Sequence, residues 1–507
     1  MSQSQPRGAA AARTAEPSPS GNRPAPGGAP SPAGAPAQAG AESPYDVVVI
    51  GAGPGGYIAA FHAAHLGLRT AVVEREWVGG VCLNVGCIPS KALLRNAEVL
   101  RLIRDAKTFG IEVDDVKADY GAAVDRSREV VGRLIKGLEY LFRKHKVDLI
   151  RGEAKLVARD TVAVTAQSGQ GGNREIKAKH VIVATGSRPR ELPDLEVDGE
   201  RVVNVWQLIV DRHRPERVVI VGGGIVGVEM GTVLRSYGSE VTILELLDRL
   251  LPREDERMSQ VLRRSFERQG FTIHTGVKVE SAKRAGDGVK VVFSKNGARQ
   301  TLEADRCLVA AAMQPNTEHL GLEELGVELE RGYVKVDERM ATNVPGIWAI
   351  GDVAATPHGL AHVASAEGIQ AATAIAGQET RPLRYHDMPR PVFSHPQVAA
   401  IGLTEAQARE AGHEVKVAEY PFSALGKALA EHDSEGVVKM VVDAKYGEIL
   451  GCHIVGPQAT EILAQVAPFK VLEGTTREFL ETIVAHPTLG EAVKHAAEMA
   501  EGEALEI

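Results

Sequence analysis

The sequence predicts an α/β protein with two Rossmann-like nucleotide-binding domains, a C-terminal α+β domain and a disordered N-terminal tail. Three observations support this prediction. A glycine-rich turn between a strand and a helix occurs twice, strand patterns alternate with helical patterns along most of the chain, and the composition changes abruptly near Tyr45. With 507 residues the chain is long enough for about three or four domains.

Each nucleotide-binding unit has the same order of elements: an apolar strand, a turn with three glycines, a helix, and a second strand that ends in an acid. In the first unit these are Asp46 to Ile50, the glycines Gly51, Gly53 and Gly56, Tyr57 to Leu66, and Thr70 to Val73 with Glu74. In the second unit they are Arg217 to Val221, the glycines Gly222, Gly224 and Gly227, a helix, and Val241 to Leu244 with Glu245. In both units the acid lies 23 positions after the first glycine.

The spacing has a physical reason. The first glycine allows a tight turn, the second lets the backbone approach a pyrophosphate, and the third lets the helix pack closely on the strand. The pyrophosphate lies at the helix N-terminus, and the acid accepts hydrogen bonds from a ribose diol. Two complete copies favour two dinucleotide sites over glycine-rich turns without a ligand. Because a carboxylate repels a 2′-phosphate, Glu245 favours NAD over NADP at the second site.

A pair of cysteines follows the first unit directly, in the segment GGVCLNVGCIPSK. Pro89 suits the first turn of a helix and the apolar spacing from Ser90 to Ile103 is helical, so Cys87 is expected just before or at a helix N-terminus. There the free N–H groups and the helix dipole stabilise a thiolate, and Lys91 adds a cation one turn later. Cys82 lies in the glycine-flanked approach and is expected to be the more accessible thiol.

A dithiol beside a nucleotide site indicates a redox enzyme that passes electrons through a disulfide. One thiol would attack the substrate, and the other would be held as a thiolate near the cofactor. Two other interpretations stay open: half of a zinc site, although no second close cysteine pair exists, and buried thiols that only fill the core. The other cysteines, Cys307 and Cys452, are isolated in the sequence.

The net charge and the number of cysteines limit the types of partner and the cellular compartment that the sequence predicts. A formal net charge of −8 argues against nucleic acid as a primary partner, and no apolar run is long enough to span a bilayer. Four cysteines do not form a secreted disulfide framework, so a reducing compartment is expected, a bacterial-type cytoplasm rather than a mitochondrial matrix. Residues 1–44 are dominated by Ala, Pro, Gly and Ser, which predicts a disordered tail, with a transit peptide or a linker as alternatives.

These residues resemble a known family, the flavin-dependent pyridine nucleotide–disulfide oxidoreductases. The resemblance runs from about Tyr45 to the C-terminus. It is carried by the motifs GAGPGGY, GGVCLNVGCIPSK, ATGSRP, GGGIVGVE, TNVPGIWAIGDV, LAHVASAEG and HIVGPQATE. The family's proton acceptor and its orienting acid match the run HPTLGE, which contains His486 and Glu491.

The resemblance implies FAD at the first site, NAD at the second and no metal. The implied catalytic residues are Cys82, Cys87, His486 and Glu491. For FAD it implies Gly51, Gly53, Gly56 and Glu74 at the ADP half, Lys91 paired with Glu229 by the flavin, Asp352 at the ribityl chain or nearby phosphate, and Ala361 at the isoalloxazine. For NAD it implies Gly222, Gly224, Gly227, Glu245 and Val279. Further implied cofactor contacts are Gly80, Ala154, Thr185, Gly186, Ser187 and Ala312.

The implied reaction is oxidation of protein-bound dihydrolipoamide by NAD⁺ through a redox-active disulfide and FAD. The implied partners are the lipoyl domains or H-protein that carry the substrate, the acyltransferase core of a 2-oxo acid dehydrogenase complex, and a second copy of the chain. The homodimer follows because the family histidine faces the dithiol of the partner subunit. Two alternatives stay open: an NADH-dependent reductase of another disulfide, and a docking subunit tethered through the tail.

The chain departs from the family at Ala312 to Asn316, where relatives often carry arginines, and at Val484 and Gly490. The predicted domains are a tail at 1–44, an FAD-binding domain at 45–190, an NAD-binding domain at 191–315, a central segment at 316–385 that completes the FAD domain, and an interface domain at 386–507. Strand-like runs at Val437 to Val442 and Ile449 to Val455 predict an antiparallel sheet in the last of these.

Overall fold

Two sheets with mainly parallel strands, and helices packed against them, form much of this protein, which is described by a computed structural model of residues 44–166 and 172–506. From Pro44 onward the chain forms one unit. The predicted tail at 1–44 lies outside the described residues apart from Pro44. Within the described ranges, no helix is both long and apolar enough to cross a membrane.

The first part of the chain builds most of a six-stranded sheet and the helices beside it. Its strands in this sheet are β1 (Tyr45–Ile50), β2 (Thr70–Glu74), β3 (Asp148–Ala158), β4 (Thr161–Ala166) and β5 (Arg174–Val183). A further short strand, β6 (Ser187–Pro189), lies outside the sheet. The helices are α1 (Pro54–His65), α2 (Gly80–Val85), α3 (Cys87–Arg104) and α4 (Tyr120–Lys144). Strand β1 lies between β2 and β5 and is parallel to both, so its carboxyl end opens at the centre of the sheet.

The second part repeats the arrangement with a five-stranded parallel sheet of order β10-β9-β8-β14-β7. The strands are β7 (Val202–Asn204), β8 (Arg217–Val221), β9 (Glu240–Glu245), β10 (Thr272–Thr275), β11 (Lys278–Ala285), β12 (Gly288–Lys295), β13 (Ala298–Ala304), β14 (Arg306–Val309) and β15 (Met313–Pro315). The helices are α5 (Val205–Leu208), α6 (Ile225–Ser236) and α7 (Glu256–Arg268). Strands β11 to β13 form a separate antiparallel sheet.

The chain then returns to the first sheet. This part contains β16 (Leu329–Glu330), β17 (Tyr333–Val334), β18 (Ile347–Ala349) and α8 (Ala361–Ile375). Strand β18 pairs in parallel with β5 and is the sixth strand of the first sheet. A 3₁₀ turn at Gly351–Val353 follows directly, so Asp352 is placed at the same edge as the turn after β1.

The last part is an antiparallel sheet of order β19-β20-β23-β22-β21 with short helices around it. The strands are β19 (Arg390–Val392), β20 (Gln397–Gly402), β21 (Val415–Pro421), β22 (Val437–Asp443) and β23 (Ile449–Gly456). The helices are α9 (Glu405–Glu410), α10 (Gly426–Ala430), α11 (Ala459–Ile462), α12 (Ala467–Val471), α13 (Thr476–Glu481) and α14 (Glu491–Glu501). Further 3₁₀ turns lie at Ala106–Phe109, Tyr385–Asp387, Phe422–Ala424 and Leu463–Gln465.

The third glycine of each nucleotide-binding motif has a steric reason. A Cβ atom on Gly56 would overlap the carbonyl oxygen of Gly51, and one on Gly227 would overlap that of Gly222. The two units therefore repeat the same close approach of helix and strand in three dimensions. The first helix begins at Pro54, three residues before the predicted start, because proline suits the first helical position.

A buried ion pair links α7 to the antiparallel sheet. Lys439 Nζ on β22 lies 3.0 and 3.1 Å from the two carboxylate oxygens of Asp255, the residue that caps α7. The two side chains are only 7% and 4% exposed. Glu405 at the start of α9 adds a second carboxylate 2.9 Å from the same Nζ. Neither charge has water to replace its partner, so both must be present together.

We expect Lys439→Met to lower the free energy of unfolding by about 3–5 kcal/mol, because it leaves the Asp255 carboxylate buried without its cation. Denaturant unfolding measures the change. The control is Lys335→Met, which removes an exposed pair with Glu328 and should change stability by at most about 1 kcal/mol. Equal effects of the two substitutions would contradict this account.

Candidate functional site

Glu74 fixes the first glycine turn. Its Oε2 atom accepts a hydrogen bond from the backbone N–H of Ala52 at 2.7 Å. Its Oε1 atom accepts from the N–H groups of Glu76 at 2.7 Å and Trp77 at 3.0 Å. The carboxylate at the end of β2 therefore holds both the turn after β1 and the chain that leads to the cysteines.

Glu245 does the same in the second unit. Its Oε2 atom accepts from the N–H of Gly223 at 2.6 Å, and its Oε1 atom accepts from the N–H of Leu247 at 2.7 Å. Ala52 and Gly223 each follow the first glycine of their motif. Glu76 and Leu247 each lie two residues after the acid, so these two contacts are equivalent in the two units. The sequence assigned these acids only to ribose binding, and this role within the turn was missed.

A long cleft runs along the carboxyl edge of the first sheet. One part is lined by residues from the glycine turn, the cysteine pair and the turn after β18, and a second part continues from it toward β3. The implied cofactor residues that line the two parts are Gly51, Gly53, Gly56, Glu74, Gly80, Ala154, Thr185, Gly186, Ser187, Asp352 and Ala361, and the implied catalytic residues Cys82 and Cys87 lie among them. Lys91 is not among the lining residues, although it lies one helical turn after Cys87.

The shape of this cleft fits FAD. It is elongated, with the cysteines and Asp352 in one part and Ala154 in the other, as a dinucleotide with a flavin and an adenine end requires. Space is also left at the glycine turn where a pyrophosphate would lie. A Cβ atom on Gly53 would meet only the Cα of Gly80, at 4.0 Å. The Gly80 backbone in turn packs closely on Gly53, since a Cβ on Gly80, which has a φ of +63°, would stand 2.7 Å from the Gly53 Cα.

Asp352 is held in place from two sides. The Ser187 hydroxyl donates to its Oδ2 atom at 2.8 Å, and burial raises the pKa of the Asp352 carboxyl. Behind it, the N–H of Gly351 donates to Glu367 Oε2 at 2.6 Å, and the Tyr385 hydroxyl donates to Glu367 Oε1 at 2.9 Å. Sequence reasoning missed Glu367 and Tyr385. An acid in the otherwise apolar run of α8 was the available signal for Glu367, and Tyr385 gave none.

Cys82 and Cys87 carry free thiols that interact with each other at the cleft. This interaction and the charge of Lys91 lower the pKa of Cys87, whereas the same interaction and burial raise the pKa of Cys82. Cys87 is the first residue of α3. These directions agree with the thiolate role predicted for Cys87.

The predicted difference in accessibility between the thiols stays a prediction. Both cysteines are partly buried. Cys82 does not lie in an extended approach segment. It belongs to α2, and the next residue, Leu83, anchors that helix in the core.

Lys91 connects the two nucleotide-binding units. Its Nζ atom lies 2.9 and 2.8 Å from the two carboxylate oxygens of Glu229 on α6. The Glu229 side chain is 5% exposed, whereas that of Lys91 is 33% exposed. The implied pair is therefore formed within one chain, and it places a cation one turn after Cys87.

His486 and Glu491 also pair as the resemblance implies. His486 Nδ1 lies 2.8 Å from Glu491 Oε1, and the N–H of Thr488 donates to Glu491 Oε2 at 2.7 Å. Partial burial would raise the pKa of Glu491, but the Thr488 N–H and the His486 ring lower it overall. The His486 side chain is 78% exposed and is not among the residues that line the cleft. Its outer nitrogen is therefore available to another molecule.

The second glycine turn carries Gly222, Gly224 and Gly227 between β8 and α6. Val279 on β11 is partly buried against the cluster that contains Val221. The carbonyl of Ala312 accepts a hydrogen bond from the N–H of Arg190 at 3.0 Å.

The departure from the family pattern lies in a small two-stranded link. β15 is paired with β6, and Gln314 lies opposite Arg188. Arg188 donates to Asn316 Oδ1 at 2.8 Å and forms an ion pair with Glu318. The segment is therefore ordered by its neighbours. The cofactor contact implied for Ala312 stays a prediction.

Zinc finds no support in the part of the chain that the structure describes, since no three His, Cys, Asp or Glu side chains cluster there as metal ligands. The charged neighbours of the cysteine pair are Lys91 and Glu229, which form an ion pair with each other. The donor set is thus unlike a structural zinc site, which needs four ligands.

Comparison with known families gives a consistent result. Residues 45–368 match the pyridine nucleotide-disulphide oxidoreductase family, and residues 388–497 match the dimerisation domain of the pyridine nucleotide-disulphide oxidoreductases. The chain therefore belongs to this family of flavoprotein oxidoreductases, whose cofactors are FAD and NAD, and it carries the domain through which the family forms homodimers.

Particular relatives narrow the class. The chain is 45% identical to the dihydrolipoyl dehydrogenase of Mycobacterium leprae over 454 residues, which is 89% of this chain and 97% of the relative. It is 41% identical to that of Bacillus subtilis over 470 residues, 91% of this chain and 99% of the relative.

Solved structures agree on the fold. A crystal structure of LpdA from Mycobacterium tuberculosis superposes with a TM-score of 0.83 at 28% identity and covers 89% of this chain and 99% of its own. The HOCl-induced flavoprotein disulfide reductase RclA from Escherichia coli superposes with a TM-score of 0.79 at 28% identity, over 90% of this chain and 100% of its own.

We expect Gly80→Ala to weaken FAD binding by at least about tenfold, because the new Cβ collides with the Gly53 backbone beneath the pyrophosphate path. Titration of the apoprotein with FAD, followed by flavin fluorescence, measures the change. Gly110→Ala is the matched control, since Gly110 also has a positive φ of +73° but nothing within 4 Å of the added Cβ. The account fails if the two variants bind FAD equally well.

Proposed function

We propose that this chain oxidises protein-bound dihydrolipoamide to lipoamide with NAD⁺, as the dehydrogenase shared by 2-oxo acid dehydrogenase or glycine cleavage complexes. One observation carries the proposal: Cys82 in α2 and Cys87 at the start of α3 line the same cleft as the first glycine turn. The relatives named above, dihydrolipoyl dehydrogenases of similar length, support the choice of substrate. Their bacterial sources support a cytoplasmic location.

Residues of the cleft would hold FAD along its length. Gly51, Gly53 and Gly56 would face the pyrophosphate, and Asp352 would face the ribityl chain. FAD bound there would supply the two-electron chemistry that links the dithiol to NAD⁺. The chain's own part is to keep the Cys87 sulfur at the cleft wall and to hold Lys91 beside it.

Substrate oxidation is a thiol–disulfide exchange in which the protein starts with Cys82 and Cys87 joined. His486 of the partner subunit takes a proton from one substrate thiol, with Glu491 holding its ring. The substrate thiolate attacks the Cys82 sulfur, which breaks the protein disulfide and leaves Cys87 as a thiolate.

The second substrate thiol then attacks the mixed disulfide, and lipoamide leaves with its own S–S bond. The protein gains two electrons as Cys82 and Cys87 thiols, and the substrate loses two. Transfer of that pair to NAD⁺ restores the protein disulfide and releases a proton.

The direct test mixes FAD-loaded protein with dihydrolipoamide and NAD⁺ and follows NADH absorbance. Rapid NADH formation that is much weaker with NADP⁺ supports the proposal. If no NADH forms but NADH reduces the bound flavin, another disulfide is the substrate. The enzyme is then a reductase, as RclA is described.

We expect Cys82→Ser to abolish dihydrolipoamide turnover while FAD stays bound, because the attacked sulfur is lost and the cleft is unchanged. Steady-state NADH formation and the flavin spectrum measure the two effects. The matched control is Cys307→Ala, since Cys307 is fully buried in β14 outside the cleft. Turnover that survives Cys82→Ser would remove the dithiol from the mechanism.

The charge of Glu245 should set the preference for NAD⁺. We expect Glu245→Gln to raise kcat/KM with NADP⁺ relative to NAD⁺ by about tenfold, because the amide keeps an acceptor for Gly223 but no longer repels a 2′-phosphate. Glu240→Gln, at the exposed start of the same strand, is the control. An unchanged ratio for Glu245→Gln would show that other residues select the nucleotide.

The docking role belongs to the same proposal as an alternative. A tail that tethers the chain to an acyltransferase core would be needed for binding but not for turnover with free dihydrolipoamide. Removal of residues 1–44 and measurement of binding to such a core tests this idea, and unchanged binding removes it.

A further inference from the structure

Phe393 touches both members of the Lys91–Glu229 ion pair. Its ring lies below the lysine ammonium, with Nζ 4.4 Å from the ring centroid. Its backbone N–H donates to Glu229 Oε1 at 3.0 Å. One residue thus gives the cation an aromatic face and the anion a hydrogen bond.

Phe393 comes from a third part of the chain. It follows β19 (Arg390–Val392) directly and lies inside the region that matches the dimerisation domain. Its side chain is partly buried against the same core cluster as α3 and α6. The ion pair is therefore a junction of all three parts: Lys91 on α3, Glu229 on α6 and Phe393 beside β19.

The position of Lys91 matters for Cys87. The neighbouring groups that act on the pKa of this thiol are Cys82, Lys91 and Glu229, and the thiol in turn acts on the pKa of Tyr57. Lys91 and Glu229 act in opposite directions on the thiol, one favouring the thiolate and the other opposing it. Because the two charges lie within 3 Å of each other, a small movement of the flexible lysine changes their net effect at the sulfur.

We propose that Phe393 is a positioning residue that holds Lys91 toward Cys87, so that packing of the dimerisation domain sets the acidity of the dithiol. This inference rests on the proposed function only where it gives the acidity of the dithiol a role in catalysis. The ring limits how far the ammonium can swing, because leaving the aromatic face costs the cation an attraction that a partly desolvated site does not replace. The backbone bond fixes Glu229 independently of the ring.

The test titrates Cys87 directly. The FAD-loaded Cys82→Ser protein is labelled with ¹³Cβ-cysteine, and the Cys87 carbon shift is followed against pH, with buried Cys307 and Cys452 as internal references. We expect Phe393→Leu and Phe393→Met to raise the titration midpoint by roughly half a pH unit. Phe393→Tyr keeps an aromatic face and should restore the midpoint. The methionine side chain is unbranched and adapts to irregular space, so a second readout remains if the leucine variant folds poorly.

Two controls separate positioning from general packing. Val392→Ala disturbs the same strand at a fully buried side chain. Val392 has no aromatic ring to hold the Lys91 ammonium, so this substitution should leave the midpoint unchanged. In a Lys91→Met background, Phe393→Leu should have no further effect, since the two substitutions then remove the same interaction.

An unchanged midpoint in both Phe393 variants, an equal shift in Val392→Ala, or a full shift that persists without Lys91 would each overturn the proposal. The titration uses no substrate. If the chain oxidises some other dithiol, the shift is still expected, so this inference and the proposed function can fail separately.

Discussion

The ion pair between Lys91 and Glu229 is the contact on which the rest of the site depends. This ion pair joins the two nucleotide-binding units, and its cation lies one helical turn after Cys87. A carboxylate this buried is costly unless it is paired, so the two units must dock in the arrangement that brings the pair together. The same docking brings the second glycine turn, which precedes α6, to the side of α3, the helix that begins at Cys87.

The two glycine–acid units form the rigid frame of the site. In each, a carboxylate at the end of the second strand fastens the turn after the first strand and the chain that leaves the acid. In the first unit that outgoing chain leads within a few residues to Cys82. The acid that would hold a ribose therefore also sets where the dithiol begins, which couples cofactor binding to the geometry of the electron path.

Much of this could be predicted from the sequence because it depends on local spacing. The glycine turns, Glu74 and Glu245, the start of α3 at Cys87 and the Glu491 partner of His486 all follow from short motifs. The helix that contains Cys82 could not be predicted, since α2 has six residues and no apolar periodicity. Glu367, Tyr385 and Phe393 were missed for another reason. Their contacts join residues far apart in the chain, and only Glu367, the single acid in α8, carries a local signal.

A count of thiols through one catalytic cycle tests the central claim that electrons pass through this dithiol. In oxidised, FAD-loaded protein, only Cys307 and Cys452 should react with a thiol reagent after denaturation. Anaerobic dihydrolipoamide should make all four cysteines reactive, and one equivalent of NAD⁺ per subunit should return the count to the first value with formation of one NADH. If NADH forms while the number of reactive thiols never changes, the electrons take another route and the account is wrong.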